Sequence, residues 1–250
     1  MKILVCISRV PDTATKVNIG SDGKTIDETN VKFTLNPYDE FAIEEALQIK
    51  EKDGDAEITA VTVGTADNKD VLRTALAMGV DKAVMIKGDE KPYDSYYVAK
   101  NLADYAKELQ PDLIILGKQS VDFDSLQMPS LLAEMIDYPS VSVVSNLELE
   151  DGKAKAERDI EGGKEILEIE LPALISAQKG LNQPRYPKLP DIMKAKRKPI
   201  EEKDADKTDS RTTVLNMELP RKERLGKIMG DSDEDIETLV KALKEEAKVI

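Results

Sequence analysis

The chain of 250 residues carries 36 basic and 49 acidic residues, a net charge of −13 and a pI of about 4.7, so its overall field repels nucleic acid. It has no histidine, which removes His-containing zinc sites and histidine general-base catalysis, and one cysteine, Cys6, which removes an internal disulfide. Forty per cent apolar residues suits a globular core, while 4% aromatics without tryptophan leaves little for base stacking.

The N-terminal apolar run is too short for a signal peptide, and no window is long enough to span a bilayer. The sequence reads as a bacterial cytoplasmic protein, or a mitochondrial matrix one if the source is eukaryotic.

Residues 2–8 form a first strand, nearly continuous in Ile, Leu and Val, as strands covered on both faces are. Arg9-Val10-Pro11-Asp12 turns the chain away, and residues 15–34 read as a polar excursion or hairpin. Asn36-Pro37-Tyr38-Asp39-Glu40 predicts a helix start: Asn caps, Pro suits the first position and acids favour the first turn. That helix buries Ala42, Ile43, Ala46 and Leu47. Strands follow at 57–63, 81–86 and 111–116, separated by helices at 67–78 and 95–109, the second capped by Asp94. The alternation predicts an α/β fold: a mainly parallel, doubly wound, Rossmann-like sheet.

After Tyr138-Pro139 the pattern changes. Residues 141–149, 153–159, 164–170 and 173–177 read as strands divided by Asp151-Gly152, Gly162-Gly163 and Pro172, so antiparallel strands extend the sheet. Residues 181–198, LNQPRYPKLPDIMKAKRK, are too proline-rich for a strand and read as a loop. Residues 201–210 read as a polar linker, and 231–248 as an amphipathic helix with Ile236, Leu239, Val240 and Leu243 on one face. The predicted organisation is an α/β domain over 1–200, then a linker and C-terminal arm over 201–250.

Two stretches point to chemistry. The segment 117–128, GKQSVDFDSLQM, follows an apolar strand and leads into a helical pattern. Strand, glycine loop, helix start is where an open α/β sheet receives an anionic ligand. The loop lacks the full phosphate-loop pattern, and an ordinary glycine turn is the plain alternative. Asp122 and Asp124 fall where the helix should begin, which suits the dipole but repels phosphate. Lys118 and backbone N–H groups would offset them, or the acids serve as caps or ribose ligands. The helix start at Asn36 could close the other side of such a site.

The second stretch, residues 184–198, has six basic residues and one acidic one, with Leu189 between Pro187 and Pro190. It is either a solvated basic loop or a docking element, in which basic residues steer acidic partners and an aliphatic anchor fills a pocket. No nucleophile–base pair stands out. Arg158-Asp159 reads as a strand-end ion pair, and any chemistry would fall to a cofactor.

Together these segments resemble the beta subunit of electron transfer flavoprotein. The resemblance rests on NPYD with the following AIEEAL, RTALAMGVD from Arg73, LGKQSVDFD from Leu116, RDIEGGKE from Arg158, and the 181–198 segment. It implies an electron carrier without catalytic residues of its own, paired with an alpha subunit that holds most of a redox FAD. It further implies AMP in this subunit. By motif matching, the AMP contacts fall on Cys6, on Asn36, Pro37, Tyr38 and Asp39, on Val63, and on Gly117, Lys118, Gln119, Ser120, Val121, Asp122, Phe123, Asp124, Ser125, Leu126, Gln127 and Met128. The resemblance assigns docking of acyl-CoA and related dehydrogenases to Tyr186, Leu189, Pro190, Ile192, Met193, Lys194 and Arg197, with a quinone oxidoreductase as acceptor. Arg158 and Asp159 fall where the family contacts the flavin domain, many relatives having Glu at the second position. The docking loop matches the AMP-holding branch rather than the bifurcating one, which carries FAD in place of AMP. A stand-alone adenine-nucleotide-binding regulator is the reading from another class. The pyrophosphate-handling SGG-x-D-S loop is missing from its place, Ser8-Arg9-Val10-Pro11-Asp12.

Overall fold

Ile3, Leu4, Val5 and Cys6 are all buried, so β1 (Lys2–Cys6) takes the centre of a sheet rather than an edge. In this computed structural model, which describes residues 1–88, 94–206, 208–220 and 226–250, β1 is followed by a small antiparallel ribbon of β2 (Arg9–Pro11) and β3 (Phe33–Leu35). The chain then winds through α1 (Pro37–Asp53) to β4 (Glu57–Gly64) and through α2 (Lys69–Met78) to β5 (Lys82–Lys87). Next, α3 (Ser95–Leu109) carries it back past β1 to β6 (Leu113–Gly117). β1 pairs in parallel with β4 on one side and β6 on the other. The winding direction therefore reverses between β1 and β6, and the crevice at their carboxyl ends is the topological switch point of the sheet.

Beyond α4 (Met128–Ile136), three strands run as an antiparallel meander: β7 (Ser140–Glu150), β8 (Lys153–Ile160) and β9 (Gly163–Glu170). β10 (Ala173–Ala177) then returns between β6 and β7, parallel to both. After α5 (Leu189–Ala195), β11 (Glu201–Asp204) pairs in parallel with β5. Among the described residues the sheet order is β11-β5-β4-β1-β6-β10-β7-β8-β9. Alternate residues of each central strand feed opposite layers. Ile3, Val5, Ile58 and Met85 pack with Ile43, Leu47 and Leu72 of α1 and α2. Leu4, Cys6, Val61 and Ile114 pack with Leu102, Ala106 and Leu132 of α3 and α4. Helices thus cover both faces of the parallel part, as the alternating sequence pattern predicts.

Four local expectations need correcting. Arg9 to Pro11 is a strand rather than a turn, closing the 15–34 excursion against β3. Residues 201–204 of the expected linker are a sheet strand; Lys207, in the same segment, lies outside the described residues. The proline-rich loop contains a helical segment, α5, because Pro190 suits its first turn and Ala195 is buried at its far end. Finally, α4 begins at Met128, so Asp122 and Asp124 precede the helix instead of opening it.

Met1–Met217 and Glu218–Ile250 are separate compact units. In the second, Ser232 caps α6 (Asp233–Lys241) by accepting from the Asp235 N–H, and Asp233, Glu234 and Asp235 fill the first turn. Ile236, Leu239 and Val240 of that helix are exposed. Among the described residues, no helix is long and apolar enough to cross a membrane.

Candidate functional site

At the switch point, the first turn of α1 is stitched to the ends of β1 and β6. Asn36 does not cap α1 with its side chain, as the sequence suggests. Its amide instead reads the backbone of the following loop: Nδ2 donates to Gln119 O at 2.9 Å, and Oδ1 accepts from Val121 N at 3.2 Å. The Asp39 carboxylate, on a residue only 3% exposed, accepts from Ser8 N at 2.7 Å and from Gly117 N at 2.9 Å. This explains the glycine. A Cβ at position 117 would stand 2.6 Å from the Tyr38 Cβ and closer still to the Asp39 carboxylate. Burial pushes the Asp39 carboxyl up to about 7, against the downward pull of hydrogen bonds from Ser8, Asn36 and Gly117.

Cys6 and Gly117 end the neighbouring strands β1 and β6, and Val63 lies one residue from the end of β4. The Cys6 thiol is buried and held in its neutral form, first by desolvation and then by the Asp39 charge, so it contributes wall rather than reactivity. Outward from Gly117 the loop opens to solvent. Lys118, Gln119, Ser120 and Val121 are half-buried, and Asp122, Phe123, Asp124, Ser125, Leu126 and Gln127 are exposed. The Lys118 ammonium lies 5.0 Å from the centroid of the Tyr38 ring. Asp124 and Leu126 both hold left-handed backbone conformations, at φ 54° and 53°. Such strain in residues with side chains is kept only where the surroundings fix it. Here Gln119 Nε2 donates to the Asp124 carboxylate, and Gln127 Nε2 donates to Ser95 Oγ at 2.8 Å on the first turn of α3. A half-buried cation, a loop open to solvent and the apolar end of β4 at Val63 suit a small anionic ligand with an apolar face, so the residues fit a nucleotide.

The basic segment lies on α1 and α2. Arg185 forks onto Glu44, with Nε to Oε2 at 2.7 Å and Nη2 to Oε1 at 2.9 Å, and Nη1 reaches Glu51 at 2.6 Å. Asn182 Nδ2 donates to Phe41 O at 3.0 Å and to Glu45 at 2.8 Å. At the other end, Arg73 Nη1 donates to Ala195 O at 2.6 Å and to Lys198 O, while Lys198 Nζ donates to Val80 O at 2.9 Å. Between these anchors the side chains face water: Tyr186 is 92% exposed and Leu189 73%, with Pro190, Ile192, Met193, Lys194 and Arg197 exposed as well. Burial raises Glu44, but the Arg185 and Gln48 hydrogen bonds outweigh it and leave the carboxyl below its ordinary range. Burial keeps Glu45 above its ordinary range.

The structure brings together the residues from Asn36, Gly117, Cys6 and Val63, and groups those from Tyr186 to Arg197. Arg158 and Asp159 lie apart on β8, beyond β10 and β7 from the switch point. Arg158 pairs across the hairpin with Glu165 at 2.6 Å rather than with Asp159, which is exposed opposite Lys164. Sequence reasoning misses Glu44, Glu45, Asn182 and Arg73 as anchors. The one available signal is a pair of acids on the helix that also buries Ile43 and Leu47.

Residues 23–208 match the electron transfer flavoprotein domain. Over its whole length the chain is 44% identical to all of the electron transfer flavoprotein subunit beta of Bacillus subtilis (strain 168). It is also 40% identical, full length on both sides, to the mitochondrial subunit beta of Oryza sativa subsp. japonica. With subunit beta of Homo sapiens the identity is 37%, covering this whole chain and 99% of that one. The chain belongs to the electron transfer flavoprotein family, as a beta subunit: an electron-carrier component that works beside an alpha subunit.

Proposed function

We propose that this beta subunit holds AMP against the Lys118-bearing loop at the switch point and docks acyl-CoA and related dehydrogenases through Leu189. The observation that carries the docking half is that three large apolar side chains, Tyr186, Leu189 and Met193, are exposed on one segment fixed at both ends by Arg185 and Arg73. An anchor held in place before contact loses little conformational freedom on binding, and the flanking cations Lys188, Lys194 and Arg197 steer acidic surfaces toward it.

FAD, held mainly by the alpha subunit, supplies the redox chemistry. The residues of this chain dock, position and shield, and the electrons go on to a downstream acceptor such as a quinone oxidoreductase. AMP acts structurally, tying the loop after β6 to α1. The apolar stripe Ile236, Leu239 and Val240 of the C-terminal arm packs on the alpha subunit, and Arg158 and Asp159 face its mobile flavin domain. The working compartment is the bacterial cytoplasm or the mitochondrial matrix.

Co-purification with the alpha subunit followed by nucleotide extraction tests the cofactor content. One FAD and one AMP per heterodimer is the expected result, and two FAD would move the chain to the bifurcating branch. Leu189→Ala should slow dehydrogenase-dependent flavin reduction without changing nucleotide content, because the side chain is exposed and supports no core. Unchanged kinetics with the cognate dehydrogenase would remove Leu189 from the docking role.

A further inference from the structure

In an open α/β sheet, the backbone N–H groups at the switch point are the usual receptors for a ligand's phosphate. In this chain the groups in that position are Ser8 N, just past β1, and Gly117 N, ending β6. Both are already bonded to one carboxylate, that of Asp39, at 2.7 and 2.9 Å. Asp39 is 3% exposed, and the space a side chain at residue 117 would fill is taken by its Oδ1 and by Tyr38. The crevice between β1 and β6 is therefore closed by an acid belonging to the protein. A phosphate could reach these amides only by expelling that carboxylate or by lying against it, like charge to like charge in a desolvated site.

We propose that Asp39 is a built-in anion occupying the switch-point amides in place of a ligand phosphate, so that a bound nucleotide must place its phosphate farther out, on the Lys118 side of the loop. The second half of this statement rests on the nucleotide reading above; the first does not. Asp39 is then a positioning residue. It holds the start of α1 and the end of β6 at a fixed spacing, and through α1 it sets Asn36, which shapes the loop at Gln119 and Val121. Around the carboxylate stand the Cys6 thiol from β1, Ser8 N just past it, Asn36 immediately before α1, Gly117 N from β6 and the Asp122 carboxylate from the loop. The thiol is held neutral by burial, and Asp122 is exposed. Burial raises the Asp39 carboxyl to about 7 against its hydrogen bonds, so its ionisation can be followed through the Gly117 amide it is bonded to.

The test uses the full chain with its alpha subunit, stripped of nucleotide and labelled with 15N at glycine and 13C at aspartate carboxyls. In the ligand-free complex, the Gly117 amide and the Asp39 carboxyl should titrate together with a midpoint of about 7. Asp39→Asn should abolish the Gly117 titration. A Gly117 amide that does not respond when the Asp39 carboxyl titrates, at whatever pH that occurs, or an Asp39 carboxyl that is solvent-exposed, would overturn the built-in anion, and the wild-type signals decide this even if the variant does not fold. AMP and adenosine are then added separately. They should move Gly117 equally, while Lys118→Ala should weaken AMP by about tenfold and leave adenosine unaffected. A Gly117 shift produced by AMP and not by adenosine would put the phosphate at the switch point and overturn the outer placement. If neither ligand binds, the nucleotide reading falls and the outer placement with it, while the pH arm still decides Asp39.

Discussion

Replacing Arg185 with alanine isolates the clamp under the proposed docking segment. The change removes the fork onto Glu44 and the contact with Glu51, and leaves Glu44, 4% exposed, with only Gln48 Nε2 at 3.0 Å and the residue-185 backbone N–H at 3.1 Å as donors. Breaking a fully buried ion pair costs about 3–5 kcal/mol. Arg185 is 36% exposed and Glu44 keeps two donors, so screening and residual bonding reduce this to about 2 kcal/mol. Arg73 still holds the far end, so the loss falls on local opening, raising the open population by about thirtyfold. Hydrogen–deuterium exchange across residues 186–195 should accelerate by up to that factor, and the dehydrogenase KM should rise with kcat nearly unchanged. Arg185→Lys keeps the charge but not the fork and should fall between. The pH sign follows from Glu44, whose folded carboxyl lies below its ordinary range. Its stabilisation is complete above the ordinary carboxylate pKa and is lost as the pH falls through the lowered one. The segment should therefore loosen in acid and be insensitive above neutrality. Exchange within about twofold of wild type in Arg185→Ala would refute the clamp.

Three further outcomes follow from the switch point. Asn36→Ala removes two hydrogen bonds to the loop, a loss of about 2 kcal/mol, so AMP affinity measured by calorimetry should fall by at least about tenfold; unchanged affinity would mean the loop shapes itself. Gly117→Ala drives a methyl group into Tyr38 and Asp39 and should lower the unfolding free energy measured by denaturant titration by about 1–3 kcal/mol; a neutral result would show that the start of α1 can withdraw. The Cys6 thiol, buried and held neutral, should resist a thiol reagent in mildly alkaline buffer until the chain unfolds; fast labelling of the native chain would contradict its burial.

What the sequence discloses and what it hides divide along physical lines. β1, β4, β5 and β6 are legible because a strand buried on both faces must be continuously apolar, and the glycine loop after β6 is legible because it interrupts such a run. β11 is not, since EEKD carries no apolar alternation; it is a strand because β5 offers an open edge, not because of its own residues. α5 is hidden for a related reason: its seven residues are held by Arg73, more than a hundred positions away. Asn36 shows the limit of local rules. Its identity suits a cap, yet its amide serves the backbone of residues 119 and 121, which only the tertiary fold brings near. The acids Asp122 and Asp124 mislead in the same way, fitting a helix start that lies at Met128.

The place of β11 has a mechanical meaning. The segment bearing Leu189 leaves the sheet from β10 and re-enters it at β11, so both of its ends are knitted into the same sheet. A loop with one end in a linker can be peeled away by whatever grips it. A span riveted at both ends cannot: a pull on Leu189 is shared between a central strand and an edge strand and loads their hydrogen bonds in parallel. A partner that seizes this side chain therefore grips the whole α/β body, and any swing made while it is held has to occur elsewhere in the assembly.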